Sequence, residues 1–168
     1  MSAEAMAEHL DSIEWSRRRW EDSKGTSPDL FAAMGAVLRL EQLVGGALDR
    51  LLREFNLNRT GYLILVTLHL KSDRTLTMGQ LSRRLLLHPT TVSLVVDKLQ
   101  TRELVTRSPH PTDRRTILAT LTDEGVSTLA GVSESLGEAN YGLEGVDPRM
   151  AITLTEIIRQ VRQDMGDA

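Results

Sequence analysis

The sequence predicts a mostly α-helical protein with a small β hairpin. Three observations support this. Apolar residues recur at helical spacing over most of the chain, capping residues mark the helix starts, and two short runs rich in Val, Ile, Thr and Leu lie at 104–108 and 116–121. The 168 residues are enough to form a hydrophobic core without cross-links. The chain contains no cysteine, which excludes disulfides, thiolate zinc clusters and thiol catalysis.

The first third of the sequence predicts two helices. The first spans residues 5–21 and rests on four apolar residues at heptad-like spacing, Met6, Leu10, Ile13 and Trp20. After a turn, Pro28 can open a long helix that reaches about Glu54. Its apolar stripe is wider than one helix face needs, so we expect burial on more than one side, often against a second subunit.

The middle third predicts three more helices. Asn58 can cap a helix over 61–70. Thr77 and Gln80 form a capping box, in which the hydroxyl accepts from the third residue's N–H and the amide reaches back, and this opens a short helix to about residue 86. His88 then stands at an N-cap position with Pro89 after it, which predicts a helix to about residue 102.

This last helix is amphipathic, with one side for packing and one side free. Its apolar side carries Val92, Val95, Val96 and Leu99, and we expect it to pack on the preceding helix through Leu81, Leu85 and Leu86. Its outward side offers small hydroxyl side chains near the N-terminus. A helix with small side chains on its outer face is slim enough to enter the major groove of DNA. A helix whose outer face is only exposed to solvent would show the same division of residues.

The predicted hairpin follows directly and has a basic tip. Thr122 can cap a further helix to about residue 144, and Asp147 with Pro148 can start the last one. Two closely spaced helices followed by a two-stranded hairpin form the layout of a winged helix-turn-helix. We expect three regions, namely an N-terminal extension and dimerisation helix (1–58), a winged lobe (59–121) and C-terminal dimerisation helices (122–168).

Positive charge is concentrated in the predicted winged lobe. The chain has a net charge of −3, yet Lys71 to Leu118 contains nine Lys and Arg residues against four Asp and Glu residues. Chance clustering or a surface that binds phosphates would both give this distribution. Taken together with the layout, it favours a nucleic-acid-binding surface.

The layout assigns residues to a DNA interface. In the major groove we expect Thr90, Thr91, Ser93, Leu94 and Lys98, and at the wing in the minor groove Asp113, Arg114 and Arg115. Phosphate contacts are expected from Thr77, Arg83, Arg84 and Arg107. Asp113 can hold one wing arginine extended by a charge-assisted hydrogen bond. Leu94 can touch a thymine methyl group or cover a protein contact, and the sequence leaves both open.

One stretch of the sequence contains Leu81-Ser82-Arg83-Arg84-Leu85, Pro89-Thr90-Thr91-Val92-Ser93, Val96-Asp97-Lys98-Leu99 and Leu104-Val105-Thr106-Arg107. This stretch resembles the multiple antibiotic resistance regulator (MarR) family. So does Thr112-Asp113-Arg114-Arg115 with Leu118, Leu121-Thr122 and Gly125, which is similar to that family's wing. The specific resemblance covers about residues 76–125. It implies an intertwined homodimer on a pseudo-palindromic operator, and repression relieved by a small phenolic or lipophilic effector. It also implies that Pro89, Thr90, Thr91 and Ser93 lie in the major groove and that Asp113 and Arg115 form the wing tip.

The sequence departs from the family pattern at three positions. Leu94 stands where the family often has arginine, Glu103 where a glycine usually ends the recognition helix, and His88 where serine is the usual cap. Base preference and the shape of the turn at residue 103 are therefore expected to differ. The N-terminal stretch with Trp15 and Trp20 is expected to form a helix that packs across the dimer.

Other function classes lack support in the sequence. The motifs GxGxxG, GxxxxGK, HExxH and GxSxG do not occur, and the four histidines are scattered, so we expect no enzymatic activity, cofactor or metal site. The alternative is a winged-helix module that binds protein instead of DNA. No signal peptide or uninterrupted apolar run of about 18 residues is found, so a cytoplasmic location without a membrane contact is expected.

Overall fold

The computed structural model describes residues 11–113 and 115–167, and the chain divides between Ala47 and Leu48 into two compact units. Helix α1 spans Ser12–Asp22 and helix α2 spans Pro28–Glu54, with the division inside α2. Asp11 caps α1 by accepting from the N–H of Ile13 at 2.9 Å. Of the residues that predicted the first helix, Met6 and Leu10 lie outside the described residues.

In the first unit, α1 folds back on the start of α2. The rings of Trp20 and Phe31 stack with centroids 4.6 Å apart, and the indole Nε1 of Trp20 donates to the carbonyl of Thr26 at 2.9 Å. Arg17 lies 3.5 Å from Asp29 across the same turn. Trp20 therefore closes the predicted turn within its own chain, and both Trp15 and Trp20 keep an exposed surface.

Helix α2 carries a long row of exposed apolar side chains, namely Leu30, Met34, Val37, Leu38 and Leu43. By length and composition it is apolar enough to cross a bilayer, with an 18-residue window of mean hydropathy 1.3. Arg39 and Glu41 lie within this apolar stretch and interrupt it, as the sequence indicates. In the described chain this apolar row lies open to solvent.

The second unit contains the remaining helices and the sheet. Helix α3 spans Arg59–His69, α4 Met78–Leu85, α5 Pro89–Thr101, α6 Asp123–Glu138 and α7 Pro148–Asp164, with a short 3₁₀ helix at Asn140–Gly142. Strands β1 (Thr75–Thr77), β2 (Val105–Pro109) and β3 (Ile117–Leu121) form an antiparallel sheet in the order β1-β3-β2. This arrangement confirms the predicted mostly α fold with a small β wing.

One hydrophobic core holds the second unit together. It is formed by fully or nearly fully buried side chains from α2, α3, α4, α5, α6 and all three strands: Leu52, Leu57, Ile64, Leu65, Leu68, Leu76, Leu81, Val92, Val96, Leu99, Leu104, Val105, Ala119, Leu121, Leu129, Val132 and Leu136. No described side chain in it is polar or charged. Because α4 and α5 contribute Leu81, Val92 and Val96, the orientation of the outward face of α5 is fixed by the core.

Local capping predictions are confirmed. Asn58 accepts from the N–H of Gly61 at 2.8 Å, although α3 begins at Arg59 and not at residue 61. The Thr77–Gln80 capping box is complete, with hydrogen bonds of 2.8 and 3.1 Å. Thr122 accepts from Gly125 N–H at 2.9 Å and so caps α6.

Three details of the prediction are wrong. Strand β1 was not predicted; Thr75 pairs with Thr120 in the sheet, and their hydroxyls lie 2.9 Å apart. Helix α6 ends at Glu138 and not near residue 144, because Asn140 and Tyr141 adopt left-handed backbone angles (φ 47° and 54°). Leu86 does not pack on α5: it is 77% exposed, at φ 52°, where α4 turns toward α5.

Candidate nucleic-acid interface

Helix α5 starts with the predicted histidine cap. The imidazole Nδ1 of His88 accepts from the backbone N–H of Thr90 at 3.3 Å, and Pro89 takes the first helical position. An acceptor at Nδ1 means that the ring proton is carried by Nε2. The histidine therefore performs the capping function of the usual serine and leaves an N–H donor at the start of the helix.

The two faces of α5 divide as predicted. Val92, Val96 and Leu99 are buried and Val95 is half-buried. The exposed face carries the predicted groove residues Pro89, Thr90, Thr91, Leu94 and Lys98, and Ser93 lies at its half-buried edge. The structure thus presents these six side chains together on the outer surface of one helix.

An ion pair connects this face to the hairpin. Arg107 on β2 is paired with the carboxylate of Asp97, which lies between Leu94 and Lys98 on the exposed face of α5. The Arg107 side chain is only 25% exposed. Arg107 was predicted to contact phosphate, and in the structure its guanidinium also neutralises the one acidic side chain on this side of the described helix.

The tip of the hairpin is organised by Asp113. Its carboxylate accepts from the backbone N–H of Arg115 at 3.0 Å and from the hydroxyl of Thr116 at 2.6 Å. These two donors, the Thr116 hydroxyl first, lower the pKa of the Asp113 carboxyl. At Arg115 this bond goes to the backbone N–H and shapes the turn. The prediction that Asp113 holds the side chain of one wing arginine stays a prediction for Arg114. Arg114 lies outside the described residues.

Among the described residues of the lobe, cations without an internal partner lie at the predicted interface. Lys71 pairs with Asp73, Arg74 with Asp123 and Arg107 with Asp97. Among the described cations between residues 71 and 118, those without an acidic or carbonyl partner are exposed and belong to the predicted set: Arg83, Arg84, Lys98 and Arg115. A surface whose cations are not neutralised internally attracts phosphate.

The last predicted phosphate contact, Thr77, has a structural role in α4. Its hydroxyl accepts from Gln80 N–H in the capping box, and the residue is half-buried. Arg83 and Arg84 project from the last turn of the helix that Thr77 caps. Thr77 thereby fixes where these two arginines lie.

The turn after α5 uses a left-handed backbone angle without glycine. Glu103, where the resemblance expects glycine, has φ 59°, and its N–H donates to the carbonyl of Gln100 at 2.8 Å. The turn after α5 therefore keeps a conformation suited to glycine, and the expectation that its shape would differ is wrong. Thr122 donates its hydroxyl to the carbonyl of Glu103 at 2.7 Å and holds the turn in place.

Arg102 is a residue that the sequence reasoning missed. Its guanidinium donates to the carbonyls of Phe55 and Asn56 at 2.9 and 2.7 Å, so it ties the end of α5 to the end of α2. Beside it lies a cavity of about 70 Å³, lined in part by Asn58 and Lys98. No local pattern could have indicated these bonds, because the partners lie 46 and 47 residues apart in sequence.

The comparisons with known proteins agree with this geometry. Residues 57–117, which contain α3 to the first residue of β3, match the model of the MarR family. A curated relative is the HTH-type transcriptional regulator MhqR of Bacillus subtilis, which is 32% identical over 91 residues. That alignment covers 54% of this chain and 61% of the relative, so it spans less than two thirds of the relative's length.

Solved structures extend the similarity beyond the lobe. Sco5413, a MarR family transcriptional regulator from Streptomyces coelicolor, superposes with a TM-score of 0.74 at 30% identity, over 84% of this chain and 97% of that one. Sco3205, a MarR family regulator from the same organism whose structure was determined in complex with DNA, gives a TM-score of 0.68 at 26% identity, over 79% of this chain and 84% of that one.

Proposed function

Because the chain belongs to the MarR family, we propose that it is a transcriptional regulator that binds double-stranded DNA through α5 and the hairpin. The observation that supports this most directly is the set of exposed cations without internal partners, Arg83, Arg84, Lys98 and Arg115. They surround a helix face of small hydroxyl side chains, which suits base edges in a major groove. The expected regulator has no enzymatic activity and acts in the cytoplasm, where its DNA is.

We assign the interface residues by role. Pro89, Thr90, Thr91, Ser93, Leu94 and Lys98 are proposed to face the major groove, and Asp113, Arg114 and Arg115 to form the minor-groove wing. We propose that the DNA phosphates are contacted, directly or through a neighbour that the residue positions, by Thr77, Arg83, Arg84 and Arg107. The phosphate contacts set orientation on the duplex, and the residues of α5 set sequence preference.

We propose that the protein acts as a homodimer. Exposed apolar residues along α2 support this, and so does a second set on α7, namely Met150, Ile152, Ile157, Ile158 and Val161. Apolar area of this extent favours a protein partner in a soluble chain. A two-fold dimer would set two copies of α5 about 34 Å apart, one turn of DNA, on a pseudo-palindromic site.

Repression relieved by a small effector completes the proposal. A phenolic or lipophilic compound would favour a spacing of the two α5 helices that no longer matches adjacent major grooves. The expectation rests on the family to which the chain belongs. It is tested by adding a panel of phenolic compounds to the protein–DNA complex. An effector must weaken DNA binding, and it must bind the free dimer more tightly than it binds the DNA-bound dimer.

The proposed function is tested by selecting genomic DNA fragments on the purified protein and sequencing them. We expect enrichment of an approximately two-fold symmetric sequence, and sedimentation of the free protein as a dimer at micromolar concentration. Arg115→Ala should weaken binding to the selected site at least several-fold, whereas Arg19→Ala, an exposed arginine on α1, should not. No enriched sequence would overturn DNA recognition, and a monomer would overturn the dimer.

The alternative function, a winged-helix module that binds protein, has one observation in its favour, the exposed Leu94. It predicts no enrichment of DNA and binding that is insensitive to salt. The two functions are therefore separated by the same selection experiment.

A further inference from the structure

Leu94 is a leucine on the exposed face of α5 with 59% of its surface accessible. It points away from the core formed by Val92, Val96 and Leu99 on the same helix. An exposed leucine in a helix centre gains nothing from hydration, and one such residue alone needs no explanation. Its position among residues that carry hydrogen-bonding groups and charge is what makes it informative.

The neighbours of Leu94 on the helix surface are all polar. Residues three and four positions away are Thr90, Thr91, Asp97 and Lys98, and each is exposed. On the described helix α5, Leu94 and Pro89 are the two exposed apolar residues, and Pro89 lies in the first turn. A lone leucine among polar side chains does not form the contiguous apolar patch that marks a protein-binding surface.

An isolated apolar group between hydroxyls and a cation matches the major-groove edge of DNA. Among the four bases, only thymine presents an apolar group there, its C5 methyl, and the surrounding groups are hydrogen-bond donors and acceptors. Asp97, the acidic side chain beside Leu94, is paired with Arg107, so close approach to DNA is not opposed by a free carboxylate.

We propose that Leu94 is a specificity-determining residue that packs on a thymine C5 methyl group once in each half-site of the bound DNA. The inference rests on the proposed function and adds to it the identity of one recognised base. The family often has an arginine at this position, and an arginine would donate hydrogen bonds to the acceptors of guanine. Leucine cannot do so, and we therefore expect Leu94 to shift base preference toward A·T pairs.

The test removes single methyl groups from the DNA. In the duplex selected from genomic fragments, each thymine is replaced in turn by deoxyuridine, which lacks only the C5 methyl, and the dissociation constant is measured. One symmetric pair of positions should show a loss of about fourfold per half-site, or about 15-fold for both. About fourfold is what burial of one methyl group, worth about 0.8 kcal/mol, gives.

Variants connect the effect to Leu94. Leu94→Ala should weaken binding to thymine DNA and bind the thymine and deoxyuridine duplexes equally, while Leu94→Met, which keeps apolar bulk, should retain the difference. Leu70→Ala is the matched control, because Leu70 is a 78% exposed leucine at the end of α3 and outside the interface. It should leave the deoxyuridine effect unchanged.

Two results would overturn the inference while leaving DNA binding intact. One is a wild-type protein that binds every deoxyuridine duplex as tightly as the thymine duplex, a measurement that depends on no variant. The other is a deoxyuridine effect that persists in Leu94→Ala. Absence of any enriched sequence in the selection would instead overturn the proposed function, so the two failures are distinguishable.

Discussion

The guanidinium of Arg107 on β2 is paired with the carboxylate of Asp97 on the exposed face of α5. Asp97 is 53% exposed in this pair, so solvent screens the interaction and we expect less than about 1 kcal/mol of folding stability from it. Its importance lies in what Asp97 would do without its partner. A free carboxylate on the helix face that meets DNA would repel phosphate.

We therefore predict that Arg107→Ala weakens DNA binding by about tenfold, because it leaves the Asp97 carboxylate unpaired on the helix face that meets DNA. Adding Asp97→Asn to this variant should restore part of the affinity, because the repelling charge is gone. Arg74→Ala is the control. Arg74 forms a similar ion pair with Asp123, at 3.1 Å, and neither residue belongs to α5 or to the predicted interface. Equal losses in the single and double variants would show that Asp97 plays no part.

A second prediction concerns the left-handed leucine in the helix-turn-helix. Leu86 has φ 52° and is 77% exposed, so it bears a backbone penalty of about 1 kcal/mol with little burial in return. Leu86→Gly should raise the free energy of unfolding by about 1 kcal/mol in urea denaturation. Leu70→Gly, equally exposed but at φ −71°, should lower it. A loss of stability in Leu86→Gly would contradict this.

A third prediction contrasts two glycines of α6. A Cβ on Gly125 would lie 2.2 Å from the carbonyl oxygen of Leu104, which accepts a hydrogen bond from Thr122 N–H at 3.2 Å and so cannot move freely. Gly125→Ala should destabilise the protein by several kcal/mol, on the order of an overpacked core site. A Cβ on Gly137 meets nothing within 4 Å, so Gly137→Ala should stabilise the helix by up to about 1 kcal/mol. Similar effects in thermal unfolding would refute the packing argument.

A fourth prediction concerns acid and helix α1. Glu14 accepts from Arg17 at 2.9 Å and from Arg18 at 2.8 Å, and these bonds lower its pKa from 4.5 to about 2. A lowered pKa in the folded state stabilises α1 above pH 4.5, and the stabilisation is lost as pH falls from 4.5 to 2. The carboxyl carbon of Glu14 should titrate by NMR with a midpoint at about 2, and Glu14→Gln should remove the pH dependence of stability. A midpoint near 4.5 would show that the bonds do not persist in solution.

Local signals in the sequence predicted the helix starts. The caps at Asn58, Thr77, His88 and Thr122 each involve atoms two or three residues apart, so the residue types alone determine the hydrogen bond. The alternation of apolar and polar residues in α5 likewise placed Val92 and Val96 in the core and Thr90 outside. These features locate the candidate interface without reference to distant parts of the chain.

Features that depend on distant contacts were not predictable in this way. Strand β1 has three residues and exists because Thr75 pairs with Thr120, 45 positions away. Arg102 reaches carbonyls at the end of α2, and no local pattern shows this. Leu86 was assigned to the packed side by its apolar character, but a left-handed turn directs it to solvent, and backbone angles at such turns override side-chain periodicity.

The salt dependence of DNA binding tests the central claim most directly. Four cations per subunit in the described part of the lobe lack internal partners, so a dimer would neutralise about eight phosphates. The affinity for the selected duplex, followed by fluorescence anisotropy, should then fall by about 10⁴ between 50 and 200 mM salt. A fall of less than tenfold over that range, or no measurable binding at 50 mM salt, would contradict the account.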